Sequence, residues 1–201
     1  MVSSFWRHVN RLLQEADIII EVLDARMIQE SRNVELEKKV WQRGKKLLYA
    51  INKCDLVGDM DVLQHMKKQL QPSVFISSKD RLGTTILKKK ILELSQGKPV
   101  VVGIVGYPNV GKSSLINALS GRGAARTSAE SGFTKGLQKI RVGPKIMLID
   151  SPGVFASERF GEEKDAAHRY AKLGAVDYAK VKDPEVVVLH LINGLLSSTW
   201  R

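Results

Sequence analysis

Apolar and polar positions along the chain switch repeatedly between two spacings. Phe5, Trp6, Val9, Leu12 and Leu13 recur at helical intervals, which predicts an amphipathic helix over residues 3–16. The apolar run in "DIIIEVLDAR" predicts a buried strand ending at Asp24. A helix over 34–43 with Gly44 as its stop and a second strand in "KKLLYAI" follow. Next come a helix over 59–70, a short strand in "SVFIS" and a helix over 83–95. "SQGKP" (95–99) reads as a linker, since Gly97 and Pro99 both interrupt regular structure. Beyond it, "VVVGIV" predicts a strand leading through a glycine-containing turn into the helix "KSSLINALS". Residues 121–136 are polar, glycine-rich and aperiodic, and are expected to form a mobile loop. "LQKIRVG" and "KIMLID" predict a hairpin around Gly143-Pro144. Two more helical patterns cover roughly 161–174 and 184–196, and Pro184 suits the first turn of the second. Strands alternating with helices imply an α/β fold: a doubly wound, mostly parallel sheet covered on both faces.

Composition narrows the function classes. With 201 residues and 43% apolar content, the chain can bury one core. A net charge of +11 suits an acidic polymer as partner, although solvated lysines alone give the same balance. Cys54 is the only cysteine, so no internal disulfide is possible and a reducing compartment is expected. The apolar runs are too short to span a bilayer, and the N-terminal region lacks a signal-peptide core. The expectation is a soluble cytoplasmic protein, monomeric, with no membrane or DNA partner.

Gly106-Tyr107-Pro108-Asn109-Val110-Gly111-Lys112-Ser113 fits G-x-x-x-x-G-K-[ST], between an apolar strand and a helix. In such a loop, backbone N–H groups around Asn109, Val110 and Gly111 and the helix start at Lys112, Ser113 and Ser114 cradle phosphates. Lys112 would neutralise the β- and γ-phosphates, and the Ser113 hydroxyl would ligate Mg²⁺. Asp150-Ser151-Pro152-Gly153 has the form Asp-x-x-Gly: Asp150 would hold the metal through water, and the Gly153 N–H would contact the γ-phosphate. Thr134, between Gly132 and Gly136, is the candidate second metal-sensing residue. Lys112, Thr134 and Gly153 are thus the candidate catalytic groups. None of this separates ATP from GTP.

Asn52-Lys53-Cys54-Asp55 supplies the distinction. The two oxygens of Asp55 match the guanine N1–H and exocyclic amine, and adenine offers no such pair of donors. A site with this carboxylate discriminates by up to ~10⁴–10⁵, because the wrong base leaves it unpaired. Asn52 would tie the base site to the phosphate loop, and the Lys53 stem would cover one face of the ring. In Ser77-Ser78-Lys79, the Ser78 backbone N–H would reach the guanine O6 and the Lys79 stem the other face. An ATP-dependent protein would require Asp55 to be incidental. The order is unusual: the base boxes precede the phosphate loop, as in a circularly permuted GTPase with "SQGKP" as the join. This divides residues 1–160 into a base-recognition half (1–95), a linker (95–99) and a phosphate-binding half (100–160), followed by a helical segment over 161–201.

The five boxes in permuted order, with "DARMIQESRN" (24–33) matching an Asp-Ala-Arg…Ser-Arg-Asn signature, resemble the circularly permuted GTPases of the YlqF/YawG type, nucleostemin relatives included. The resemblance covers roughly residues 10–175. It implies a Ras-like domain, GTP/GDP with Mg²⁺, and the large ribosomal subunit or its rRNA as partner. Arg122, Arg126, Lys135, Lys139 and Arg141 are then candidate phosphate contacts, or ordinary surface. The family's further C-terminal domain and N-terminal Pro-Gly-His segment are not matched, and His8 reads as structural.

Val154 follows Asp-x-x-Gly, where Ras-like enzymes carry a water-orienting glutamine. Valine cannot hydrogen-bond water, so intrinsic turnover is expected near ~10⁻⁴ s⁻¹ or below. The same replacement marks the resembling family, where the ribosome stimulates hydrolysis. Asn109 resembles the K⁺-coordinating asparagine of potassium-activated relatives, although it also suits simple loop shaping. The reading is a GTP-hydrolysing switch in large-subunit assembly, and the alternative is a non-catalytic, GTP-gated RNA-binding module.

Overall fold

The computed structural model describes residues 4–58, 64–65, 68–121 and 138–150. The described elements are α1 (Ser4–Glu15), β1 (Ile18–Asp24), α2 (Ile28–Ser31), α3 (Val34–Gln42), β2 (Lys46–Asn52), β3 (Ser73–Phe75), α4 (Thr84–Leu94), β4 (Val100–Val105), α5 (Lys112–Ser120), β5 (Gln138–Val142) and β6 (Ile146–Asp150). Most of the helix expected over 59–70, the loop 121–136 and both C-terminal helices fall outside the described residues.

The strands form one sheet in the order β3-β2-β1-β4-β6-β5. Every pairing is parallel except the β5–β6 hairpin. β1 lies near the middle and is buried at all seven positions, as its unbroken apolar run requires of a strand covered on both faces. Side chains alternate between two cores with period two. Ile18, Ile20, Val22, Leu48, Ala50, Val102 and Ile104 pack toward α4 and α5 through Leu87, Ile91, Leu115 and Leu119. Ile19, Leu23, Leu47, Ile51 and Val105 pack toward α1 and α3 through Leu12, Leu13, Leu36 and Val40.

α1 lies close on the sheet because β4 carries glycine beneath it. A Cβ on Gly103 would meet Leu12 Cγ at 2.9 Å and Ile19 Cδ1 at 3.0 Å. The Lys39 ammonium stacks on the Trp6 ring, tying α1 to α3, and Glu15 pairs with Lys139 of β5. Asn33 caps α3 by accepting from the Leu36 N–H at 2.8 Å. At the join, Lys46 donates to Leu94 O and Lys145 to Gly97 O, so two cations meet the negative end of α4.

Candidate functional site

Parallel strands leave a crevice at their carboxyl ends, deepest where successive connections run in opposite directions. Here β1 leads outward to β2 and β3, while β4 leads the other way to β6, so the crevice opens between β1 and β4. Asp24, Asn52, Val105 and Asp150 all lie at this edge. The sequence motifs converge on it from both halves of the chain.

Asn52 joins those halves. Its side-chain amide donates to Val110 O at 2.9 Å, and its Oδ1 accepts from the Ser78 backbone N–H at 3.0 Å and the Ser78 hydroxyl at 2.8 Å. Asn52 is buried, so these bonds satisfy groups that would otherwise be orphaned. The Ser78 N–H, expected from sequence at the guanine O6, donates here to Asn52 Oδ1. Ser77 is likewise engaged within its own loop. Its backbone bridges Leu82, and its hydroxyl donates to Asp80 at 2.8 Å.

Gly111 explains how close the two halves come. Its φ is +98°, and a Cβ there would lie 2.3 Å from Asn52 Nδ2, so only glycine lets the phosphate loop seat against the amide. Lys53, the next residue after β2, adopts φ 63° and ψ 31°. Its ammonium donates to Asp24 Oδ2 at 2.8 Å and to Asn109 O at 2.5 Å. A 3-10 turn over Cys54–Leu56 then presents Asp55 at the surface, and Lys79 is exposed as well.

At the other end of the crevice, Lys112 opens α5 and its ammonium folds back over the loop. It donates to Gly106 O at 2.8 Å and Tyr107 O at 2.7 Å. Burial lowers its pKa to about 8, and the Asp150 carboxylate pulls the other way. Asp150 is itself pushed up by burial and drawn down by Lys112. Ser113 stands beside Lys112 in the first turn of α5, and Asp150 ends β6, the strand paired with β4, so one element supplies a hydroxyl and another a carboxylate. An all-oxygen donor set suits a hard cation such as Mg²⁺. Thr134, Gly153 and Val154 lie outside the described residues, as do Arg122, Arg126 and Lys135. Lys139 and Arg141 are exposed on β5, Lys139 in its pair with Glu15.

Sequence reasoning missed Asp24 and Arg26 as parts of this site. Arg26 Nε and Nη2 grip the Asp24 carboxylate at 3.0 and 2.7 Å. Burial raises the Asp24 pKa, but the bonds from Arg26 and Lys53 outweigh it and hold the group below its ordinary value. The signal was the register, which sets Asp24 opposite Asn52.

Comparison with known proteins agrees with this geometry. Residues 101–198 match the family described as 50S ribosome-binding GTPase. An uncharacterized GTP-binding protein of Methanocaldococcus jannaschii is 44% identical, over 92% of this chain and 48% of its own length. The GTPase grn1 of Schizosaccharomyces pombe is 33% identical, over 96% of this chain and 47% of its own. The chain thus spans about half the length of these curated relatives. The crystal structure of GNP-bound YlqF from T. maritima superposes with a TM-score of 0.64 at 23% identity, covering 94% of this chain and 72% of that one. With its base-reading box ahead of its phosphate loop and both on one sheet edge, the chain carries a GTPase domain, matched by the 50S ribosome-binding GTPase family over residues 101–198, in the circularly permuted fold of YlqF.

Proposed function

We propose that this protein binds GTP and hydrolyses it to GDP and phosphate as a switch in assembly of the large ribosomal subunit. The observation that supports the reading is the Asn52 bridge, which ties the strand leading into the Asp55 turn to the phosphate loop ahead of Lys112. The description of the matching family names the 50S ribosome, and the charge of +11 suits an rRNA surface.

In this reading Asp55 takes the guanine edge, with the stems of Lys53 and Lys79 on either face of the ring. The loop backbone from Asn109 to Gly111 and the start of α5 at Lys112, Ser113 and Ser114 hold the phosphates. Lys112 leaves the Gly106 and Tyr107 carbonyls to meet the β- and γ-oxygens, where its charge steadies the transferring phosphoryl group. Ser113, Thr134 and Asp150 would hold the Mg²⁺, which would supply neutralising charge to the phosphates. Gly153 senses the γ-phosphate through its N–H. With Val154 in place of a water-orienting side chain, the free protein turns over slowly and ribosomal particles speed it. Asn109 would hold a K⁺, whose charge would supply part of the missing positive charge.

Two measurements test this: co-sedimentation with ribosomal subunits in GTP-analogue and GDP states, and single-turnover hydrolysis with and without those particles. Nucleotide-dependent association with accelerated hydrolysis is expected. Association without acceleration would favour a non-catalytic, GTP-gated RNA-binding module, the reading that Val154 keeps open.

A further inference from the structure

Lys53 sits in an uncommon state for a residue with a side chain. Its backbone is left-handed, and its long side chain is held rather than free, at 25% exposure. Fixing a lysine costs rotamer entropy, so something must offset it. Two anchors do so: the Asn109 carbonyl of the phosphate loop and the Asp24 carboxylate.

Asp24 is unusually well prepared for this. It ends β1 opposite Asn52, one residue before Lys53, and its side chain is only 3% exposed. Oδ1 accepts from the Arg26 backbone N–H and from Arg26 Nε, while Oδ2 accepts from Arg26 Nη2 and from Lys53. Its own N–H donates to Ser31 Oγ at 3.0 Å, and the Ser31 hydroxyl donates back into the turn at Met27 O and Ile28 O. The segment from Asp24 to Ser31 therefore folds around one carboxylate. Arg26 alone would balance its charge, and the bond to Lys53 links it to the nucleotide crevice.

We infer that Asp24 is a positioning residue of the nucleotide site, holding the Lys53 ammonium on the Asn109 carbonyl and so locking the base-reading turn to the phosphate loop. Asn52 and Lys53 then grip two consecutive loop carbonyls, Val110 and Asn109, from one strand end. The fixed ammonium also confines the Lys53 stem to one track, which a flat ring needs in order to stack on it. The inference rests on the guanine-nucleotide reading of this crevice.

A double-mutant cycle on the 201-residue chain tests it, with GDP and ADP as ligands. Asp24→Asn keeps the shape and removes the charge; Lys53→Met keeps the stem and removes the ammonium. Each is expected to weaken GDP binding about tenfold, and the double variant also about tenfold, because both break one link. A loss of about a hundredfold in the double variant, or an Asp24→Asn affinity within about twofold of wild type, overturns the inference. A merely structural Asp24 would lower the melting temperature and add its effect to that of Lys53→Met. If Asp24→Asn does not fold, Asp24→Glu decides, since it keeps the charge and displaces the carboxylate: GDP affinity within about twofold of wild type overturns the inference, and a loss of about tenfold that Lys53→Met does not deepen supports it. Wild-type protein that binds GDP no better than ADP would overturn the guanine reading itself, and this is measured before any variant.

Discussion

The missing side chain of Gly111 and the amide of Asn52 occupy the same space: a Cβ on the glycine would lie 2.3 Å from Asn52 Nδ2. Two residues from opposite halves of the chain therefore constrain each other, and each predicts the cost of changing the other. Asn52→Ala removes three buried hydrogen bonds and leaves the Val110 carbonyl and Ser78 N–H without this partner. We expect a stability loss of about 1–3 kcal/mol, read by denaturant unfolding. GDP affinity should fall by about a hundredfold, about 2.8 kcal/mol, because the same bonds set the loop. Gly111→Ala should abolish binding, while Gly111→Ala combined with Asn52→Ala should recover part of the fold's stability.

Asp55 stands exposed on its turn, free to change without disturbing the core. Asp55→Asn replaces a double acceptor with an acceptor and a donor, a pattern that matches xanthine rather than guanine. GDP affinity should fall by at least ~10² while xanthosine diphosphate affinity rises, in competition titrations at fixed Mg²⁺. Equal losses for both nucleotides would show that Asp55 does not read the base.

In the proposed reading, Lys112 would couple nucleotide binding to pH. Burial holds its pKa near 8 in the free protein, and phosphate oxygens around the ammonium must raise it. The complex therefore binds more protons than the free protein above about pH 8, so affinity is full below that value and declines as pH rises beyond it. Calorimetry at pH 8.5 in buffers of different ionisation enthalpy should report proton uptake on GDP binding. Lys112→Arg, always charged, should remove the uptake whatever it does to affinity.

Glu21 makes the opposite demand on the fold. It is fully buried on β1, where Oε1 accepts from the Asn33 N–H at 2.7 Å and Oε2 has no hydrogen-bond partner. Burial raises its pKa from 4.5 to about 8, with the Asn33 bond opposing and the Glu37 carboxylate adding to the rise. Glu37 is itself held by two bonds from Arg32. The folded state binds the extra proton between about pH 4.5 and 8, so stability falls as pH climbs through that window. Glu21→Gln should flatten this slope and leave the variant more stable than wild type at pH 8. The gap should widen by up to about 1.4 kcal/mol per pH unit, followed by thermal melts from pH 5 to 8.

Much of this was legible from residue patterns. The continuous apolar run of β1 marked a strand covered on both faces, and "KSSLINALS" matched α5 residue for residue. The phosphate loop and the base box were readable because their chemistry is local: glycines, a lysine and a carboxylate at fixed spacing. What escaped depends on register and rotation. That Ser78 gives its N–H to Asn52 rather than outward follows from how the Asn52 amide turns, which no spacing encodes. Asp24 became a partner of Lys53 only once β1 and β2 were paired, since their separation in sequence gives no hint of contact.

The corner between α4 and β4 is stitched rather than slack, with Lys145 reaching across it to Gly97. Bisecting the polypeptide there would yield two fragments, one carrying Asp55 and the other Lys112, that meet again along β1–β4 and through the loop carbonyls. Because a nucleotide would touch both fragments, their reassembly becomes a readout of occupancy, and the permuted order lends itself to a split sensor.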